Sequence, residues 1–204
     1  MQVVYWLVVV IAGYLLGNVN GALLISRFVM KDDVRTHGSG NAGLTNFFRT
    51  YGGIQSLLVI AIDVVKCVLA CLIAQWVLPH QAFHAKMIAG SMCILGHSYP
   101  VFEGFRGGKG IMSGFAMALA TDWRVAGIIL AVFVIVIALT RYVSLGSVLA
   151  ATAFAISYSA LHWGNWPVCV IAVLTAAFVV FRHKQNIVRL FKGTESKLSF
   201  HKKR

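Results

Sequence analysis

Apolar residues in this chain follow neither the alternation of a half-buried strand nor the three-and-four spacing of a surface helix. They come in long runs, separated by short clusters of glycine, amide and cationic residues. In a bilayer core every backbone N–H and C=O is paired within its own segment, so apolar runs of about 20 residues read as helices. Seven are predicted, at 3–29, 54–78, 86–103, 110–121, 124–140, 143–161 and 166–181. The first is longer than one span needs, so it tilts or continues past the membrane. The third and fourth are short and flank a glycine-rich connection, which suits partly re-entrant segments. The predicted fold is all-α, a polytopic membrane protein of about seven transmembrane helices, some short or partly re-entrant. A five-span version keeps the same sidedness, because five is also odd.

Composition removes the soluble alternatives. Of 204 residues, 59% are hydrophobic and 12% charged, whereas a soluble domain carries about 45–50% apolar and about 25% charged residues. A soluble fold of this length has too little interior for so much apolar surface. Disordered, collagen-like and disulfide-scaffold classes are excluded as well. Cys67, Cys71, Cys93 and Cys169 lie in apolar runs without a C-x-x-C pair, and read as small core residues. No cation precedes Arg27, so no cleavable signal peptide is expected. Residues 1–204 are expected to form one domain, with a basic amphipathic tail at about 182–204.

Lysine and arginine number 18 against 6 acids, a formal charge of +12. In so apolar a chain this points to phosphate groups, on lipids or substrates, rather than to nucleic acid. Arg27, Lys31, Arg35, Arg49, Arg106, Lys109, Arg141 and the cations from Arg182 onward fall on one set of helix ends. Only Lys86 and Arg124 fall on the other. The positive-inside rule then puts the N-terminus outside and the C-terminus in the cytoplasm. The outer connections hold Pro79, His80, His84, Trp123, Trp163 and Trp166, and the tryptophans suit an interfacial belt.

Candidate chemistry gathers on the cytoplasmic side. Nine of the 19 glycines, Gly38, Gly40, Gly43, Gly52 and Gly53 together with Gly104, Gly107, Gly108 and Gly110, cluster in two stretches. In the first, Gly38, Ser39, Gly40, Asn41 and Gly43 permit turns that aim successive N–H groups at one anion. Thr45 and Asn46 add side-chain hydrogen bonds, and Arg49 a guanidinium fork for phosphate. The second stretch, Gly96 to Gly110, is not a P-loop, because Glu103 and Gly110 stand where that motif needs Gly and Ser or Thr. It sets Lys109 among Gly107, Gly108 and Gly110 at a helix start, where an anion is favoured. His97 stands just upstream as a supporting residue. A third set, Arg141, Ser144 and Ser147, sits at the helix junction where the sixth run begins, and Arg182, His183, Asn186 and Glu195 follow the last. Ile187, Leu190 and Phe191 share one helix face opposite a basic one, a pattern that lies on anionic lipid.

Within the apolar runs, Gly13, Gly17 and Gly21 form a close-packing face. Asn18 and Asn20 read as interhelical hydrogen-bonding residues. Asp63 and Lys66, three apart, are either an ion pair orienting the helix or part of the site. His80 and His84 have helical spacing but no nearby carboxylate, so no metal or other cofactor is expected.

In these three motifs, in this order and on one side of the membrane, the chain resembles the bacterial membrane acyl-phosphate:glycerol-3-phosphate acyltransferases of the PlsY type. The resemblance runs from about Asn18 to Lys197. Ala42 stands where the family usually has proline, Leu44 where it has alanine, Cys67 where it often has glycine, and Ser113 where threonine is common. None of these departures removes a functional group. The resemblance implies acyl transfer from acyl phosphate to the 1-hydroxyl of sn-glycerol 3-phosphate in the bacterial inner membrane. The product is lysophosphatidic acid, and the step is the first acylation of phospholipid synthesis. A soluble enzyme that makes acyl phosphate is the implied supplier.

An activated donor needs no acyl-enzyme. Ser39, Arg49, Lys109, Ser147 and Arg182 would hold the phosphates. Asn41, Asn186 and the N–H groups of 38–43 would polarise the acyl carbonyl. The proton acceptor is His183 or the donor's own phosphate; Arg182 and its basic neighbours favour the latter. The H-x-x-x-x-D signature of thioester-using acyltransferases is absent. The competing class is a transporter or channel for a phosphorylated solute, opposed by one-sided motifs and the lack of an internal repeat. A lipid-binding protein without chemistry is a third class, and it would have no need of His183 or Asn186.

Overall fold

Each predicted apolar run is helical in the computed structural model, which describes residues 1–198; the tail positions 199–204 lie outside the described residues. The helices are α1 (Gln2–Asn18), α2 (Gly21–Phe28), α3 (Leu44–Tyr51), α4 (Gln55–Val77), α5 (Ala82–Ser98), α6 (Ile111–Thr121), α7 (Trp123–Thr140), α8 (Val143–Leu161), α9 (Trp166–Arg182) and α10 (Lys184–Phe191). Among the described residues four segments are long and apolar enough to cross a bilayer: Gln2–Phe28, α4, α7 and α8. A fifth is the pair α9 and α10, bent by 59°. Leu130, Val134, Ile135 and Leu139 of α7 are all exposed, which suits lipid and would be costly in water.

The described residues form two compact units, divided between Trp123 and Arg124. In the first, α4 packs against α1, α5 and α6, and α1 against α5. In the second, α8 packs against α9, and α10 meets both.

The first run departs from the single long helix expected of it. Val19 and Asn20 are extended, separating α1 from α2. Such a break orphans carbonyls at the end of α1 and N–H groups at the start of α2, and both sets find partners. The Asn20 side chain accepts the Leu23 N–H at 3.1 Å. Lys66 of α4 donates to the carbonyl of Val19 at 2.7 Å, and the Gly17 carbonyl lies in longer contact with the same ammonium at 3.4 Å. Asp63, one turn away, accepts the Gly21 N–H at 3.2 Å and pairs with Lys66 at 2.8 Å. The buried ion pair therefore closes a broken helix from the side.

The break also divides the predicted glycine face. Gly13 and Gly17 lie on α5: a Cβ on Gly17 would stand 2.9 Å from the Gly96 Cα and overlap the Cys93 carbonyl. Gly21, beyond the break, abuts Val59 of α4 instead. Two further boundaries differ from expectation. α5 starts at Ala82, so His84 is helical rather than in a loop. It ends at Ser98 rather than 103, because Pro100 disfavours a helical Tyr99 (φ −131°, ψ 65°).

Candidate functional site

In the first unit the two glycine stretches meet. Beneath the first, Val34, Ala42 and Phe47 are fully buried with Leu23 and Val59, and this apolar cluster fixes where the loop leaves the membrane helices. Asn46, in the first turn of α3, then clamps the loop from within. Its amide donates to the carbonyls of Val34 and His37, both at 3.0 Å, and its oxygen accepts the Ser39 N–H at 3.0 Å. The Gly40 N–H goes to the His37 carbonyl at 2.9 Å. The predicted anion donors Ser39 and Gly40 are thus engaged inside the loop through their backbone. The N–H groups that a helix start leaves without helical partners are those of Leu44, Thr45 and Asn46, after Gly43, which caps α3 without a side chain. Ser39 keeps an exposed side chain, and Arg49 is exposed in the last turn of α3.

The second stretch is tied to the first through its turn. Asn41 donates to the Gly107 carbonyl at 3.3 Å, and Asn20 to the Ala42 carbonyl at 3.0 Å. Gly107 and Gly108 donate their own N–H groups to the carbonyls of Ser98, at 3.3 Å, and His97, at 3.0 Å. These two glycines therefore shape the turn; their N–H groups are not open donors, contrary to expectation. Lys109 follows directly, half-buried, and Gly110 caps α6 in the left-handed region (φ 84°).

Two arginines near these loops are held by acids. Arg27 grips Glu103 through both terminal nitrogens at 2.7 Å. Arg35 binds Asp33 at 2.7 Å and the Glu103 carbonyl at 3.1 Å. The Arg35 hydrogen bonds hold the Asp33 carboxyl down to about 2, against the opposing effect of burial. Burial and the Asp32 carboxylate, which accepts the Tyr51 hydroxyl at 3.0 Å, push the Tyr51 phenol up to about 12. Arg27, Arg35 and Glu103 are thus a brace between loops. The sequence reading missed it because no local pattern pairs residues 76 positions apart.

In the second unit, α9 ends and α10 begins at His183 (φ −94°, ψ 6°), which is 2% exposed. His183 Nδ1 donates to the Val179 carbonyl at 2.8 Å, since a carbonyl only accepts. In the neutral ring this leaves the lone pair on Nε2. Asn186 donates to Glu195 Oε1 at 2.8 Å, and Arg189 to Oε2 at 2.7 Å. Burial raises the Glu195 carboxyl, but these bonds and the Ser144 hydroxyl outweigh it and hold it below its ordinary value. Ser147 donates back to the Val143 carbonyl at 2.9 Å. Arg141, with φ of 65°, accepts the Leu198 N–H at 2.7 Å and donates to its carbonyl at 3.2 Å. The segment after α10 is thereby fastened to the start of α8. Arg182 is half-buried at the end of α9. On the tail helix Asn186 is buried, while Phe191, on the face expected to lie on lipid, is 90% exposed.

These features define a class: an all-helical, multi-pass integral membrane protein carrying glycine turns, a helix N-terminus and cations suited to phosphate. The family model described as glycerol-3-phosphate acyltransferase matches residues 7–193, and the chain belongs to that family of acyltransferases. Among curated relatives, the glycerol-3-phosphate acyltransferase of Thermoanaerobacter pseudethanolicus is 39% identical over 95% of this chain and 96% of its own. That of Halalkalibacterium halodurans is 39% identical over 95% of each chain. The fold is similar to the crystal structure of PlsY (YgiH), an integral membrane glycerol 3-phosphate acyltransferase. Its glycerol 3-phosphate form gives a TM-score of 0.87 at 32% identity, covering 95% of this chain and 96% of that one. Its lysophosphatidic acid form gives 0.83 at 32% identity, with 95% of each chain covered.

Proposed function

We propose that this acyltransferase moves a fatty acyl group from acyl phosphate to the 1-hydroxyl of sn-glycerol 3-phosphate. The products are lysophosphatidic acid and phosphate, in the first acylation of phospholipid synthesis. The observation that carries this reading is the joined pair of glycine loops, with Lys109 on one and the N-terminus of α3 on the other. Related crystal forms containing glycerol 3-phosphate and lysophosphatidic acid support the acceptor and the product. The absent histidine–aspartate signature supports acyl phosphate as donor, and a soluble enzyme making it is the partner this requires.

In the reaction the acceptor oxygen forms a bond to the acyl carbon, the bond from that carbon to the phosphate oxygen breaks, and the hydroxyl proton leaves. Ser39, Arg49 and Lys109 of the first unit, and Ser147 and Arg182 of the second, are each assigned to phosphate. Asn41 and Asn186 each give one amide hydrogen to a protein oxygen, so each keeps at most one for the acyl carbonyl. The departing phosphate takes the proton, and His183, buried and bonded through Nδ1 to the Val179 carbonyl, positions substrate. Purified protein given labelled glycerol 3-phosphate with either donor tests this. Turnover is expected with acyl phosphate, and comparable turnover with acyl-CoA would overturn the donor assignment.

Residues 1–204 work as one domain of about seven membrane helices in the bacterial inner membrane. α6, at 11 residues, is about 16 Å long and re-entrant rather than spanning. The basic loops and tail face the cytoplasm and the N-terminus faces outward. Single cysteines at Thr36 and His80, in a background lacking native cysteine, test this with an impermeant label on intact cells. Labelling is expected at 80 only; labelling at 36 only would invert the topology.

A further inference from the structure

Lys66 and His97 lie outside the groups given a role in the reaction above, yet they connect the broken helix to the Lys109 turn. Lys66 and His97 are 3% and 4% exposed, and Asp63 is 1% exposed. The Lys66 ammonium lies 2.7 Å from His97 Nδ1, 2.7 Å from the Val19 carbonyl and 2.8 Å from Asp63. An ammonium has three hydrogens and no acceptor, so these short contacts account for all of them. His97 Nδ1 must therefore be the acceptor, and in the neutral ring the proton sits on Nε2. That edge of the ring borders Gly108: a Cβ there would overlap His97 Nε2 and stand 2.9 Å from the Ala42 carbonyl. The backbone of the same residue holds the turn as well, since the His97 carbonyl accepts the Gly108 N–H at 3.0 Å. One residue later comes Lys109.

We propose that Lys66 and His97 are positioning residues for Lys109. Lys66 fixes the imidazole through Nδ1, the imidazole edge and carbonyl seat Gly108 against the first glycine loop, and the seated turn sets where the Lys109 ammonium meets substrate phosphate. Asp63 serves the arrangement by holding Lys66 in place. Because Lys66 also closes the break between α1 and α2, the membrane-buried joint and the phosphate turn are one mechanical unit. The proposal rests on the reading of Lys109 as a phosphate-binding residue.

A double-mutant cycle of His97→Phe and Lys109→Ala separates positioning from a general structural role. Phenylalanine keeps a planar ring but removes the acceptor for Lys66. Steady-state kinetics are measured for both substrates. Lys109→Ala is expected to raise the KM of one phosphate substrate, and His97→Phe to raise the KM of that same substrate by about 10-fold with kcat changed by less than about threefold. In the Lys109→Ala background the His97→Phe change is expected to add less than about twofold, because the group it positions is gone. An undiminished factor in both backgrounds, or a fall in kcat alone, would overturn the positioning role while leaving Lys109 in the site. A Lys109→Ala loss below about threefold would overturn the phosphate reading itself, and the proposal with it. If His97→Phe does not fold, His97→Asn carries the same cycle with the same expectations, since it removes the ring edge facing Gly108. The paired replacement Lys66→Met with Asp63→Asn removes the charge pair together and is expected to reproduce the KM rise; an unchanged KM would remove Lys66 from the chain of contacts.

Discussion

The molecule breaks an apolar helical run twice, at Val19–Asn20 and at His183, and heals the two breaks by different means. At the first, the orphaned backbone groups are met by Lys66 and Asp63 from another helix, with both side chains buried. At the second, the repair is local: the His183 N–H reaches Val180 at 2.9 Å and its ring reaches Val179 at 2.8 Å. A remote charged repair makes the break a point of the tertiary structure. A local repair by an imidazole leaves the joint nearly self-sufficient and puts a titratable ring at the helix end. The first break should therefore govern stability, and the second should be felt mainly in the reaction.

Lys66→Met gives the largest expected effect. It leaves a buried carboxylate without its cation, which costs about 3–5 kcal/mol. Thermal unfolding in detergent should show a large drop or no folded protein, and a variant as stable as wild type would erase the contrast. His183→Gln comes next. With the donor phosphate as proton acceptor, kcat should fall by less than about 10-fold and the acidic limb of its pH profile should remain. A loss of about 10²–10⁴-fold together with a vanished limb would make His183 the base. The smallest effect concerns Glu195. Its folded carboxyl is held below the ordinary value, so the native state binds that proton less readily than the unfolded chain. Its contribution is complete above an unfolded pKa of about 4.3 and is lost as pH falls through the lower folded value. Melting curves between about pH 3 and 6 should fall less steeply with acid in Glu195→Gln than in wild type. Parallel slopes would remove Glu195 from the fastening of α10 next to the second break.

The two breaks also mark where the sequence was readable. Apolar runs announced their helices, because lipid leaves the backbone no other way to satisfy itself. Val19–Asn20 contains neither proline nor glycine, and its local signal is confined to Asn20, a cap-type residue that also suits an interhelical hydrogen bond. The partner that closes the break lies 47 residues on, at Lys66. Asp63 and Lys66 stood out as intramembrane charges, but only packing showed that each ends a different helix. Glycine clustering located both loops. It did not show that Ser39, Gly40, Gly107 and Gly108 already give their N–H groups to protein oxygens, because hydrogen-bond ownership depends on which carbonyl the fold brings near. Glu103 was legible only as a failure of the P-loop pattern, and its brace with Arg27 depends on a distant partner.

The break makes the first run conditional on the fourth helix. A chain without residues 63 and 66 has no ammonium for the Val19 carbonyl and no carboxylate for the Gly21 N–H. An unbroken helix through 19 and 20 would satisfy those groups within the run itself. The jointed form, and with it the reach of Asn20 to the Ala42 carbonyl that anchors the first glycine loop, therefore depends on α4 being in place.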